Sequence, residues 1–139
     1  MLEVPGVYAI AVTPFHDDGR LDDDSAQSMV EFYRGCGVTG LTILGVMGEA
    51  AKLDTQEAIG FARRVIGACG RMPVIVGVSA PGFAAMRALA RSVMDAGAAA
   101  VMIAPAGSVR TDDQVVDYFA QAVEAIGSDV PFVIQDYPP

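Results

Sequence analysis

Residues 73–103 read PVIVGVSAPGFAAMRALARSVMDAGAAAVMI. Two short apolar runs, Val74 to Val78 and Ala99 to Ile103, enclose a stretch where Met86, Leu89, Ala90, Val93 and Met94 recur at the spacing of a one-sided helix. The runs are continuous rather than alternating, so both of their faces are predicted to be buried, which is how parallel strands read. Gly97 follows the stripe at once. Glycine accepts the left-handed backbone that closes a helix without steric cost. The stretch is one strand-helix-strand unit.

The same unit extends in both directions. Ala26, Met29, Val30 and Tyr33 form a stripe behind the acidic Asp22-Asp23-Asp24-Ser25 start, and Ala58, Phe61, Ala62, Val65, Ile66 and Cys69 form another. Val115, Tyr118, Phe119, Ala122, Val123 and Ile126 make the last. Asp54 with Glu57, and Thr111 with Gln114, are spaced as capping boxes before the second and fourth helices. Gly37, Gly70 and Gly127 close the other stripes as Gly97 closes the third. Further apolar runs lie at Val7 to Thr13, Leu41 to Leu44 and Phe132 to Ile134. The predicted order is β-α-β-α-β-α-β-α-β. An open doubly wound sheet and a (β/α)8 barrel both accept it.

Composition bounds the function. The chain has 139 residues, 53% hydrophobic and 19% charged, with 17 acids against 9 bases and a net charge of -8. Such a charge repels nucleic-acid phosphates and anionic membranes, so neither is an expected partner. No apolar run reaches the roughly 18 residues of a spanning helix, and the start lacks the pattern of a signal peptide. Cys36 and Cys69 sit near helix ends and read as reduced structural thiols, which fits a cytoplasmic location. The methionines on the stripes read as core filler.

The last residues, Tyr137-Pro138-Pro139, follow the fifth strand with no fifth helix. A doubly wound domain would cover that strand. As half of a barrel the piece leaves inward side chains unpartnered, a loss comparable with the whole stability of a domain. The expectation is that residues 1–139 are the amino-terminal part of one barrel domain about twice as long.

Four segments carry a family resemblance. They are Val12-Thr13-Pro14-Phe15 with Asp18-Gly19-Arg20-Leu21-Asp22; Gly45-Val46-Met47-Gly48-Glu49-Ala50 leading to Leu53, Asp54 and Glu57; Pro73-Val74-Ile75-Val76-Gly77; and Gln135-Asp136-Tyr137-Pro138. In order and spacing they resemble the dihydrodipicolinate synthase and N-acetylneuraminate lyase family, class I pyruvate aldolases, across almost the whole chain. The resemblance implies a (β/α)8 TIM barrel, of which this chain supplies the first five strands and four helices. It implies a homo-oligomer, tetramer or dimer, and no cofactor. It also implies a lysine on the sixth strand that forms a Schiff base with pyruvate or a keto-deoxy sugar acid. Aldol cleavage, condensation or dehydration then proceeds beside that electron sink. The lysine is expected beyond residue 139, so a non-catalytic assembly module remains the alternative for the chain alone.

Lys52, the only lysine, sits before a helix cap and reads as a solvated surface residue; a reactive lysine needs burial to lower its pKa. The two hydroxyl residues of the family's carboxylate pocket are matched by Val46 and Met47. Backbone N–H groups of such a turn can still hold an anion, so both are candidate substrate contacts, with a packed turn the plain alternative. The family's central tyrosine is matched by Gln135, a third candidate, whose amide cannot supply a proton as a phenol can. Both tyrosines after the fourth strand are replaced in Pro105-Ala106-Gly107. The pattern is that of a divergent branch, not of dihydrodipicolinate synthase itself. Tyr137 is the one candidate to replace the lost phenol, against the plainer reading of a packed Tyr-Pro-Pro turn. Ser79 lies on the predicted rim and reads first as a helix-approach serine. His16 stands alone in a polar loop, too little for a metal site. Glu49 reads as bracing its own loop.

Overall fold

The structure, a computed structural model, describes residues 5–136. Each apolar run becomes a strand and each stripe a helix. The order is β1 (Tyr8–Ile10), α1 (Ser25–Gly35), β2 (Gly40–Ile43), α2 (Thr55–Cys69), β3 (Val74–Gly77), α3 (Phe83–Asp95), β4 (Ala100–Ile103), α4 (Asp112–Ile126) and β5 (Phe132–Ile134). One turn of 3-10 helix, Ala50–Lys52, lies between β2 and α2.

The strands lie side by side in sequence order, every neighbouring pair parallel. The helices follow the same order, α1 against α2, α2 against α3, and α3 against α4. They roof one face of the sheet. Leu41, Ile43, Val76, Val101 and Ile103 are fully buried there with Phe61, Val65, Met86 and Val93. The opposite face carries a separate small cluster of Ile75, Ala100 and Met102, packed by Tyr8 and Val133 and, among the described residues, by no helix. A doubly wound sheet reverses its strand order and takes helices on both faces. Sequential order with one helical layer is instead the winding of a (β/α)8 barrel, of which this chain supplies five strands and four helices.

Local chemistry explains the helix ends. Asp54 accepts from the Gln56 and Glu57 N–H groups while Glu57 accepts from the Asp54 N–H, and Thr111 with Gln114 repeats the arrangement. At α1 the cap comes from the first residue of the acidic run. Asp24 makes no capping bond; Asp22 instead accepts from the Ser25 N–H at 3.1 Å and the Ser25 hydroxyl at 2.5 Å. These bonds hold the Asp22 carboxyl below its ordinary pKa. Two arginines tie the ends of α2 and α4 to the preceding helices. Arg34 of α1 donates to the Ala68 carbonyl at the end of α2, and Arg87 of α3 donates to the Ala125 carbonyl at the end of α4. Both place a cation where a helix presents free carbonyls.

Three strand expectations shorten or thin. The run Val7 to Thr13 yields only Tyr8–Ile10, because β1 has a single neighbour and its flanks Val7 and Val12 are exposed. β2 stops at Ile43 because Leu44 turns into the left-handed region, φ 56°. The burial expected of every strand holds for β2, β3 and β4, whereas β1 and β5 are partly open, with Ile134 56% exposed. The α4 stripe is likewise half-covered, since α3 is its one helical neighbour among the described residues.

Cys69 is buried and its thiol is pushed up to about 11 by desolvation, whereas Cys36 is exposed. The thiolate is the reactive form. At mildly alkaline pH, a disulfide-exchange reagent should therefore modify Cys36 promptly and Cys69 only after denaturant is added. Equal labelling rates in the folded protein would contradict this packing.

Candidate functional site

The carboxyl ends of the strands are shaped by one close approach. Where β2 ends, the Leu44 backbone crosses the sheet at Gly77 of β3, and a Cβ on Gly77 would fall inside the Leu44 carbonyl oxygen. Leu44 itself holds φ 56° and is buried. A non-glycine residue in that region costs roughly 1–2 kcal/mol, so the surroundings must hold it. Two further contacts fix the loop. The Thr13 hydroxyl, buried at the end of the first strand run, donates to the Gly48 carbonyl at 2.5 Å. The Glu49 N–H donates to the Val46 carbonyl at 3.0 Å, with Glu49 at φ 53°.

The loop therefore presents Val46 and Met47 outward, 51% and 57% exposed. Their N–H groups donate to no acceptor among the described residues. Gln135 arrives from beyond β5, its own N–H bonded to the Ile103 carbonyl at 2.9 Å. Val46, Met47, Gln135 and Ile10 line one recess of about 330 Å³. Three of the residues picked out from sequence thus meet at one place. The fourth, Tyr137, lies outside the described residues.

A larger cleft of about 620 Å³ adjoins the recess, sharing Val46 and Gln135 with it. It runs over Leu44, Gly77 and Met102 towards Leu89 and the Pro105-Ala106-Gly107 segment. Ser79 lines it, and its hydroxyl oxygen accepts from the Ala104 N–H at 2.9 Å, tying the loops after β3 and β4. Tyr118 also lines it. Its hydroxyl donates to the Ala104 carbonyl at 3.2 Å, and burial raises the phenol above its ordinary pKa. Sequence reasoning placed Tyr118 in the core stripe of α4; only the choice of tyrosine over phenylalanine hinted at a polar end.

Lys52 and His16 lie at the surface. Lys52 is 68% exposed and pairs with Glu49 on the surface. His16 is 3.9 Å from Asp22 in an open loop, and no group of three metal-ligating side chains occurs among the described residues. No lysine or arginine lines the recess or the cleft among the described residues. No helix there is long and apolar enough to cross a membrane.

Comparison with known proteins agrees with the fold. The sequence model of the dihydrodipicolinate synthetase family matches residues 3–138. A 4-hydroxy-tetrahydrodipicolinate synthase from Pseudomonas aeruginosa is 32% identical over 137 residues, covering 97% of this chain and 46% of that protein. The crystal structure of a dihydrodipicolinate synthase from Rhodopseudomonas palustris superposes with a TM-score of 0.92 at 61% identity, covering 98% of this chain and 45% of that one. A prophage protein of the same family from Escherichia coli K12, solved in complex with pyruvate, superposes with a TM-score of 0.85 at 25% identity, covering 99% of this chain and 46% of that one. The chain spans about half the length of the curated relatives it matches.

The crossing at Gly77 gives a direct test of what shapes the loop. Gly77→Ala should lower stability by about 1–3 kcal/mol, the usual cost of overpacking, because backbone cannot move aside as a side-chain tip can. Chemical denaturation measures it; an unchanged midpoint would mean that Leu44 does not pass there.

Proposed function

The chain belongs to the dihydrodipicolinate synthetase family, and from that premise we propose that it is the amino-terminal part of a Schiff-base lyase acting on a 2-keto acid. One observation carries the reading: Val46, Met47 and Gln135 meet around one recess at the carboxyl ends of the strands, and the N–H groups of Val46 and Met47 donate to no acceptor among the described residues. Barrel enzymes place their chemistry at this end. The N–H groups of Val46 and Met47 hold the keto acid's carboxylate in place of a cationic side chain. Gln135 hydrogen-bonds the keto acid or the imine formed from it.

The amine is supplied from beyond residue 139. It condenses with the keto carbon, releasing water, and the protonated imine then draws in the electron pair of a C–H or C–C bond at the neighbouring carbon, from which a proton or an aldehyde leaves. Carbon–carbon bond formation, cleavage, or loss of a hydroxyl can each use that pair. Lys52 is no substitute, being exposed and ion-paired outside the recess. Residues 1–139 alone are therefore inactive. Keto-acid binding is supported by the relative crystallised with pyruvate.

Borohydride reduction of the full-length protein in the presence of pyruvate should leave one reduced pyruvate per chain, found by intact mass and mapped to a lysine after residue 139. No adduct at any keto-acid concentration would leave a non-catalytic barrel module as the better reading.

A further inference from the structure

We propose that the second reactant of this site is an uncharged, apolar aldehyde rather than a hydroxylated or anionic one. The proposal rests on the lyase reading above and specifies the substrate class of the same site.

The argument starts from the shared wall. Val46 and Gln135 belong to both the recess and the cleft, so a chain growing away from a keto acid in the recess enters the cleft between them. The cleft walls there are Leu44, Leu89, Met102, Pro105 and Ala106. Of its six polar side chains among the described residues, four are bonded within the protein, which leaves Thr55 and Gln135 to meet a ligand. Ser79 accepts from the Ala104 N–H and Tyr118 donates to the Ala104 carbonyl. Asp54 caps α2, and Glu49 is paired with Lys52. A polyhydroxylated chain would exchange water for walls that return few hydrogen bonds, and each unmatched hydroxyl costs free energy. A carboxylate-bearing aldehyde would meet the carboxylate of Asp54, with no lysine or arginine in the lining among the described residues. An alkyl or aryl group gains from burial against the same walls.

The chemistry balances without a further reagent. The new bond joins C3 of the enamine to the aldehyde carbon. The carbonyl π pair becomes an oxygen lone pair that takes a proton from water, and the iminium left behind is hydrolysed to ketone and free amine. The hydroxide and proton from these two steps recombine, so aldehyde and pyruvate sum to one 4-hydroxy-2-keto acid. Gln135 donates a hydrogen bond to the developing alkoxide and transfers no proton.

The test compares kcat/KM of the full-length protein for butanal, glyceraldehyde and succinic semialdehyde, each with pyruvate. Butanal should be preferred by about tenfold or more, the discrimination a hydrophobic pocket supplies. Val46→Thr, an exposed and nearly isosteric change that adds a hydroxyl to the shared wall, should narrow the preference over glyceraldehyde several-fold. Equal or reversed preference in a protein that still forms the borohydride adduct would overturn this proposal and leave the lyase reading standing. Failure to form the adduct removes both.

Discussion

The passage of the Leu44 backbone over Gly77 is the constraint on which the carboxyl end of this sheet depends. No side chain fits between the two. The approach ends β2 at Ile43, drives Leu44 to a positive φ and sets the direction in which the next residues leave the sheet. The glycines at 45 and 48 then close a turn whose outer edge is Val46 and Met47. Thr13 fastens that turn to the first strand run through Gly48. Local strain of this kind persists only where surrounding packing over-determines it. Here the packing is the buried core beneath Leu44 and the neighbouring strand at its back.

Much of this architecture was legible before any coordinates, because it rests on local rules. The four stripes, the closing glycines and both capping boxes depend on residues within a few positions of each other, and each forms as expected. The choice between a barrel and a doubly wound sheet was not local. It lies in strand order and in which face the helices take, and continuous apolar strands look alike in both. Strand ends were illegible for a related reason. Leu41 to Leu44 is uniformly apolar, and nothing in it reveals that Leu44 must turn aside for a strand more than thirty positions later.

The candidate site was legible in part. Matching the glycine-flanked segment and the end of β5 to a family pattern drew attention to Val46, Met47 and Gln135, and the fold brings them together. What they replace matters as much. The resemblance implies two hydroxyls and a phenol at these places; in the site proposed here two apolar side chains and an amide stand there, and an anion would be held by backbone N–H groups, which any side chain but proline leaves in place. Tyr118 escaped notice because a helical stripe records which face is inward, not how far a side chain reaches past it. Its hydroxyl ends at the cleft, bonded to Ala104.

The two arginine ties carry a meaning for how such a chain is made. Arg34 precedes the helix end it secures, and so does Arg87. Synthesis runs from the amino terminus, and emerging segments begin to fold as they appear. The final turn of α2, and later that of α4, therefore emerges to find its anchoring guanidinium already waiting on the previous helix. Of the three helices that follow α1, α2 and α4 thus meet a latch set by the helix before them.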